Sequence, residues 1–154
     1  MQHTLPKFDV VLLGIGHTNA HVLDMWRMNA LPNTRLTCIS NYPVAAYSGM
    51  MPGTLAGQYA PAEMEIDLVR LCAAAGARLI QEQVTGLDVK SQRLHFAERP
   101  AIPFDALSIG VGSCPAPAPG RRPAPANGNV AGNEWTDAGE ADVLKIKPMQ
   151  TFMK

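Results

Sequence analysis

The chain has 154 residues, of which 47% are hydrophobic and 17% charged, and this composition is typical of one globular domain rather than of a disordered chain. Thirteen basic residues balance thirteen acidic ones, so the net charge argues against electrostatic binding to nucleic acid or to anionic lipid. No apolar run is long enough for a membrane span and the first residues are polar, so we expect a cytoplasmic protein without integral membrane insertion.

The first 113 residues alternate between compact aliphatic runs and segments with helical periodicity. Residues 8–13 predict a buried parallel strand, and an apolar face containing Leu23 and Trp26 predicts a helix over residues 19–29. The later predicted elements are, in order, a strand at 36–39, an irregular loop at 42–61, a helix from an Asp67 N-cap to a Gly76 stop, a strand at 78–84, a hairpin over 87–89 and 93–96, and a strand at 106–109. This order predicts an α/β fold in which a parallel sheet carries an antiparallel β insert.

The remaining chain has a different character. Residues 114–142 are rich in proline, alanine and glycine and show neither helical nor strand periodicity, which predicts an extended linker. A short apolar tail follows at residues 143–154. We therefore place the folded domain at residues 5–113.

The cysteines and histidines favour plain structural roles. No two cysteines form a Cys-x-x-Cys pair, so we expect Cys38 and Cys72 to be buried small side chains rather than a redox disulfide. His17 and His21 have the spacing of metal ligands on a helix, but two ligands without an acidic or cysteine partner do not make a zinc site. We expect no metal, and we expect His17 to line the turn described next.

A glycine turn follows the first predicted strand, with the sequence GIGHTN at residues 14–19. Gly14 permits a tight turn, Gly16 lets the backbone approach a pyrophosphate, and the helix N-terminus supplies unpaired N–H groups and a positive dipole end for the anion. Asn19 stands where the dinucleotide fingerprint has its third glycine, and we expect this to cost close packing of the helix against the strand. The alternative is an ordinary glycine turn of an α/β protein that binds no nucleotide.

Three further segments are candidates to face the same ligand. Ser40 and Asn41 follow the second strand, where dinucleotide-binding proteins usually carry an acidic residue, and either side chain can hydrogen-bond a ribose. The loop at residues 47–53, with the sequence YSGMMPG, is either plain loop filling or a loop lying against a flat ring with its methionines as polarisable packing. The last strand runs into Gly110 and Gly112, whose amides we expect beside the first turn.

Together these segments resemble the amino-terminal part of the flavoproteins with two dinucleotide-binding domains. Type II NADH dehydrogenases, sulfide:quinone oxidoreductases and a related group sometimes fused to selenide, water dikinase belong to that class. The resemblance covers residues 10–113 and implies a Rossmann-like FAD-binding domain, with the glycine turn at the pyrophosphate, the loop near the isoalloxazine and Val84 at the adenine. The residues expected to bind FAD are Gly14, Gly16, His17, Thr18, Asn19, Ser40, Asn41, Ser48, Gly49, Met50, Met51, Pro52, Val84, Gly110, Gly112 and Ser113.

The resemblance also implies a reaction. Hydride would pass from NAD(P)H to FAD, and the electrons would then pass to a quinone or another acceptor; no side chain stands out as a general acid or base. A second glycine-rich domain for NAD(P)H and a later glycine–aspartate turn, both implied by the resemblance, have no counterpart in these 154 residues. A truncated, non-catalytic dinucleotide-binding remnant or interaction module is therefore the alternative, and NAD(P)H is expected as co-substrate only if a second domain is supplied.

Overall fold

The computed structural model of the protein describes residues 5–113, so the predicted linker at 114–142 and tail at 143–154 lie outside the described residues. The helices and strands are, in chain order, β1 Phe8–Leu13, α1 His17–Met28, β2 Thr34–Ser40, β3 Val44–Ala46, α2 Met51–Leu55, β4 Glu65–Asp67, α3 Leu68–Ala74, β5 Arg78–Gln81, β6 Val84–Asp88, β7 Arg93–Phe96, β8 Ile102–Pro103 and β9 Ala106–Ile109. Short 3-10 turns at Ser48–Met50 and Pro61–Met64 lie on either side of α2.

Four parallel strands form the central sheet in the order β5-β2-β1-β9. Within it, Leu13 of β1 is level with Ile39 of β2 and with Ile109 of β9, so the carboxyl ends of the strands share one edge. The crevice outside this edge is where open α/β sheets bind ligands. The predicted parallel sheet is confirmed.

The side chains of β1 alternate between two buried clusters, as a strand covered on both faces requires. Leu12, 2% exposed, packs with Leu23 of α1 and Leu68 of α3. Val11, 1% exposed, packs with Leu94 of β7 in the other cluster. Helices therefore cover one face of the parallel sheet and the antiparallel insert covers the other, and each fully buried aliphatic side chain stabilises this arrangement by about 1.5–3 kcal/mol.

The antiparallel insert is confirmed, but it has three strands, in the order β6-β7-β8, rather than a single hairpin. The strand predicted at 78–84 is too long, because β5 ends at Gln81 and Val84 opens β6, where it pairs with Phe96. In the turn between β6 and β7, the carboxylate of Asp88 accepts hydrogen bonds from the Ser91 hydroxyl at 2.6 Å and from the Ser91 and Lys90 amides. These hydrogen bonds, the Ser91 hydroxyl first, lower the pKa of Asp88.

The loop predicted at 42–61 is partly wrong, because it contains both β3 and α2. β3 pairs antiparallel with β4, and neither strand is longer than three residues. Pro52 lies in the first turn of α2, where its missing N–H group removes no helical hydrogen bond. Strands this short form through their pairing partner, so sequence periodicity does not predict them.

The second predicted helix, α3, begins and ends as expected. The carboxylate of Asp67 accepts a hydrogen bond from the Arg70 amide at 2.9 Å, which is the predicted N-cap, and Gly76 at φ +64° follows the helix. Cys38 of β2 and Cys72 of α3 are 0% and 1% exposed, which confirms that both are buried. The contact between their thiols, together with burial, raises the pKa of Cys38 well above its usual range.

Candidate functional site

Two glycine turns pack against each other at the carboxyl edge of the parallel sheet. Gly14 has φ +74°, and a Cβ atom there would lie 2.7 Å from the Gly110 carbonyl oxygen; one on Gly16 would lie 3.3 Å from the same oxygen. The Gly14 amide donates to the Ile39 carbonyl at 2.8 Å, and the Gly110 amide donates to the Leu13 carbonyl at 2.7 Å. Backbone hydrogen bonds thus tie the ends of β1, β2 and β9 together, and the close approach requires glycine at position 14.

The amino end of α1 is open to an anion. Its N-cap is Gly16, which makes no side-chain capping bond, and the first turn contains no acidic residue. The first helical hydrogen bond runs from the Ala20 amide to the Gly16 carbonyl at 2.9 Å, so the amides of His17, Thr18 and Asn19 have no acceptor within the helix. Gly16, His17 and Thr18 are exposed. These amides and the positive end of the helix dipole suit a pyrophosphate.

Asn19 turns its side chain inward instead of toward a ligand. The side chain is 1% exposed; its Nδ2 donates to the Gly14 carbonyl at 2.7 Å, and its Oδ1 accepts from the Ser108 hydroxyl at 2.8 Å. A Cβ atom on Gly110 would lie 2.7 Å from that Nδ2. The absent side chain at Gly110 provides the space that the Asn19 amide occupies.

An aromatic pair joins the 47–53 loop to the start of α1. The ring of His17 stacks on that of Tyr47, with centroids 5.2 Å apart and planes at 26°. Cβ atoms on Gly49 and Gly53 would lie 2.9 Å from the Tyr47 ring and 2.6 Å from the Tyr59 ring, so both glycines make room for tyrosines of the same chain. The loop that the sequence associates with a flat ring thus lies beside the glycine turn.

The other predicted residues of this loop lie on its 3-10 turn and on the first turn of α2. Ser48 and Pro52 are exposed, and Met50 and Met51 are half-buried. The backbone carbonyl of Met50 accepts a hydrogen bond from the Thr54 hydroxyl at 3.1 Å, which fixes the junction between the two turns. Both methionines therefore keep part of their surface accessible.

The predicted ribose residues lie at the end of β2. The Ser40 hydroxyl accepts a hydrogen bond from the Tyr42 amide at 3.2 Å, and Asn41 between them is exposed. The Ser40 hydroxyl still has its proton to donate, and the Asn41 amide both donates and accepts. Neither supplies the negative charge that an acidic residue has at this position.

A cavity of about 480 Å³ lies next to the end of β5. The Glu82 amide donates to the Ser40 carbonyl at 3.1 Å, so the chain leaving β5 stays at the ligand edge. Gln83 and Thr85 line the cavity, and Val84 lies between them in the chain. Val84 itself is partly buried and packs against the cluster that contains Val11 and Leu94.

The last predicted residues follow β9. Gly112 has φ +76°, with no atom within 4 Å of the position its Cβ would take, and Ser113 is exposed.

The closest ion pair of the sheet lies at its opposite end, where Arg35 binds Asp9 through two hydrogen bonds of 2.6 and 2.9 Å. This carboxylate raises the pKa of Arg35. The two glycine turns are thus built from backbone groups, and the Arg35–Asp9 pair lies away from them.

Solved structures of several oxidoreductases have a similar fold. The sulfide:quinone oxidoreductase of Aquifex aeolicus matches 66% of this chain with a TM-score of 0.57 and 20% identity. Putidaredoxin reductase, in its covalent complex with putidaredoxin, matches 73% with a TM-score of 0.62 and 21% identity. The water-forming NADH oxidase of Lactobacillus brevis, bound to NADH, matches 73% with a TM-score of 0.57 and 18% identity.

The described unit has the Rossmann-like fold of these oxidoreductases. The predicted fold class is confirmed, and so is the predicted resemblance to such enzymes at the level of the fold. This chain spans 24% to 28% of the length of the three structures. No protein-family model and no curated protein sequence matches it.

Over residues 5–113, no three His, Cys, Asp or Glu side chains lie close enough together to hold a metal ion. No helix in the same range is long and apolar enough to cross a membrane.

Sequence reasoning missed the partners that hold the predicted residues in place. Ser108 and Tyr47 belong to segments that the motifs identify, but neither was singled out as a site residue. An asparagine at the third-glycine position is a signal that a polar partner must be nearby, since a buried amide needs one. The partner is 89 positions away in the chain, and only the fold identifies it as Ser108.

Proposed function

We propose that the chain binds FAD at the carboxyl edge of its parallel sheet, as the FAD-binding module of an NAD(P)H oxidoreductase. The observation that carries the proposal is the amino end of α1, which has a glycine N-cap, no side-chain cap and no acidic residue in its first turn. The pyrophosphate would accept hydrogen bonds from the amides of His17, Thr18 and Asn19. The exposed Gly16 lets the anion approach the backbone closely.

The rest of the edge fits the two ends of the cofactor. Ser40 and Asn41 would hydrogen-bond the adenosine ribose, and the cavity beside Val84 has room for the adenine. The 48–53 loop would lie along the isoalloxazine, with Met50 and Met51 as its polarisable contacts. Support for this direction comes from the sheet order, which places the end of β2 on one side of the glycine turn and that of β9 on the other.

The protein's part in the reaction is binding and orientation. Bound FAD would supply the chemistry of hydride transfer from NAD(P)H and of electron transfer to a quinone or another acceptor. The amides at the start of α1 would hold the pyrophosphate, and the loop would orient the ring and exclude water on one side. We assign no general acid or base to the chain.

A second candidate function is a dinucleotide-binding or interaction module that does not itself turn over NAD(P)H. Within the described residues one glycine fingerprint is present, at Gly14 and Gly16, whereas the proposed reaction uses a second nucleotide site. The test mixes this chain alone with FAD and NADH, with ferricyanide or a quinone as electron acceptor. Oxidation of NADH would overturn this second candidate function. Bound FAD without oxidation favours it.

Ligand fragments test the proposed site. FAD and ADP share the pyrophosphate and the adenosine half, whereas FMN carries only the ring and one phosphate. We expect the full chain to bind FAD, ADP to displace it, and FMN not to compete, all measured by flavin fluorescence. Competition by FMN equal to that by ADP would contradict the assignment of the glycine turn to the pyrophosphate.

A further inference from the structure

We propose that Asn19 is a positioning residue that does with two hydrogen bonds what the third glycine of a dinucleotide fingerprint does with close packing. It holds the glycine turn against β9, so that the free amides of α1 point at the pyrophosphate. The effect on FAD binding rests on the proposed function. The hydrogen bonds and close contacts that hold the turn are observed at three positions. These positions, Asn19, Ser108 and Gly110, are called the asparagine clamp below.

The hydrogen bonds of the clamp fix the orientation of the Asn19 amide. A backbone carbonyl only accepts, so the group that faces the Gly14 oxygen at 2.7 Å is the Nδ2 donor. The Oδ1 atom then faces Ser108, whose hydroxyl donates to it at 2.8 Å. One side chain thus joins the turn after β1 to the strand β9, across 89 positions of the chain.

Position 110 is matched to this side chain. A Cβ atom there would lie 2.7 Å from the Asn19 Nδ2 and 3.1 Å from the Gly14 carbonyl oxygen, closer than side chains ordinarily pack. In the dinucleotide fingerprint, the third glycine on the helix is the position that lacks a side chain. Here the helix carries Asn19, and Gly110 on the facing turn lacks a side chain instead.

The clamp acts on the ligand through the turn. The Gly14 amide and carbonyl are both bonded, to Ile39 and to Asn19, so the peptide planes before Gly16 have little freedom. Removing the Asn19 amide leaves the partly buried Gly14 carbonyl without that donor, and the turn can rotate to find water. The amides that follow the turn at the start of α1 would then no longer point in one direction.

The test uses the full chain and four variants: Asn19→Ala, Ser108→Ala, Ser108→Thr and Gly57→Ala. Amide hydrogen exchange is measured for the hydrogen-bonded amides of Gly14, Ala20 and Gly110, with β6 and β7 as a distant reference, and FAD affinity is measured beside it. For Asn19→Ala and Ser108→Ala we expect faster exchange at these three amides only, and a Kd for FAD raised about tenfold, which corresponds to the loss of about 1.4 kcal/mol. Ser108→Thr keeps the hydroxyl and restores both values, and Gly57→Ala leaves the Kd unchanged.

The outcomes separate the clamp from the proposed function. Unchanged exchange at the Gly14, Ala20 and Gly110 amides in both alanine variants overturns the clamp, whether or not FAD binds. Exchange that rises equally in β6 and β7 also overturns it, because Asn19 would then only stabilise the whole fold. Local exchange that rises while the unmodified chain takes up no FAD supports the clamp and overturns the proposed function. If Asn19→Ala does not fold, the exchange measured in Ser108→Ala, which deletes only one hydroxyl, tests the clamp by itself.

Discussion

Replacing Gly14 by alanine tests the packing of the two glycine turns. The Cβ atom would lie 2.7 Å from the Gly110 oxygen and 2.8 Å from both the Gly110 carbonyl carbon and the Val111 Cα. All three atoms are backbone, so no side chain can rotate away from the contact. We expect Gly14→Ala to be strongly destabilising and to abolish FAD binding.

The magnitude has two parts. Holding an alanine at φ +74° costs about 1–2 kcal/mol, and forcing a methyl group into a filled site costs about 1–3 kcal/mol. The expected loss in the free energy of unfolding is therefore about 2–5 kcal/mol, a large fraction of the stability of an ordinary domain. Urea unfolding followed by circular dichroism measures it.

Gly57→Ala is the matched control. Gly57 also has φ +74°, but no atom lies within 4 Å of the position its Cβ would take. This variant should lose only the conformational part, about 1–2 kcal/mol, and should keep FAD binding. Equal losses in the two variants would refute the reasoning, because the close approach to Gly110 would then contribute nothing.

Three further predictions concern the rest of the fold. Asp67→Ala should lower the free energy of unfolding, measured in urea, by about 1 kcal/mol. Asp67→Asn should lose less, since asparagine also caps helices, and equal losses in the two variants would contradict the cap. Ser91→Ala should raise the pKa of Asp88 toward its ordinary value in an NMR titration. Because the pKa of Asp88 is lower in the folded than in the unfolded chain, its ionised carboxylate stabilises the fold at neutral pH, and this stabilisation is lost as the pH falls through the folded-state pKa. An unmoved pKa in Ser91→Ala would contradict the hydrogen bond. Cys38 and Cys72 should resist alkylation in the native chain and react in urea, as peptide mapping would show; native labelling would contradict their burial.

The elements that could be predicted are those whose signal is local. The run at Phe8–Leu13, the cap at Asp67 and the stop at Gly76 each follow from side chains or backbone freedom within a few positions. β3, β4 and β8 could not be predicted, because strands of two or three residues exist only through pairing with distant partners. The predicted strand at 78–84 includes Val84 for a related reason: nothing local in residues 81–83, with the sequence QEQ, marks the point where the chain leaves one sheet for the other.

The candidate site divides in the same way. The glycine turn is predictable because the backbone itself requires glycine at Gly14, where φ is +74° and a Cβ would meet backbone atoms. The burial of Asn19 and the stacking of His17 on Tyr47 depend on which segments the fold brings together, and no local pattern carries that information. Sequence therefore predicts the groups that meet a ligand better than the groups that hold them in place.

The most direct test of the central claim is the flavin content of the chain after mixing with FAD and gel filtration. We predict that the unmodified chain and Gly57→Ala each elute with bound FAD, close to one per chain by absorbance, and that Gly14→Ala elutes without it. An unmodified, folded chain that elutes free of flavin at saturating FAD would contradict the claim that this sheet edge is an FAD site.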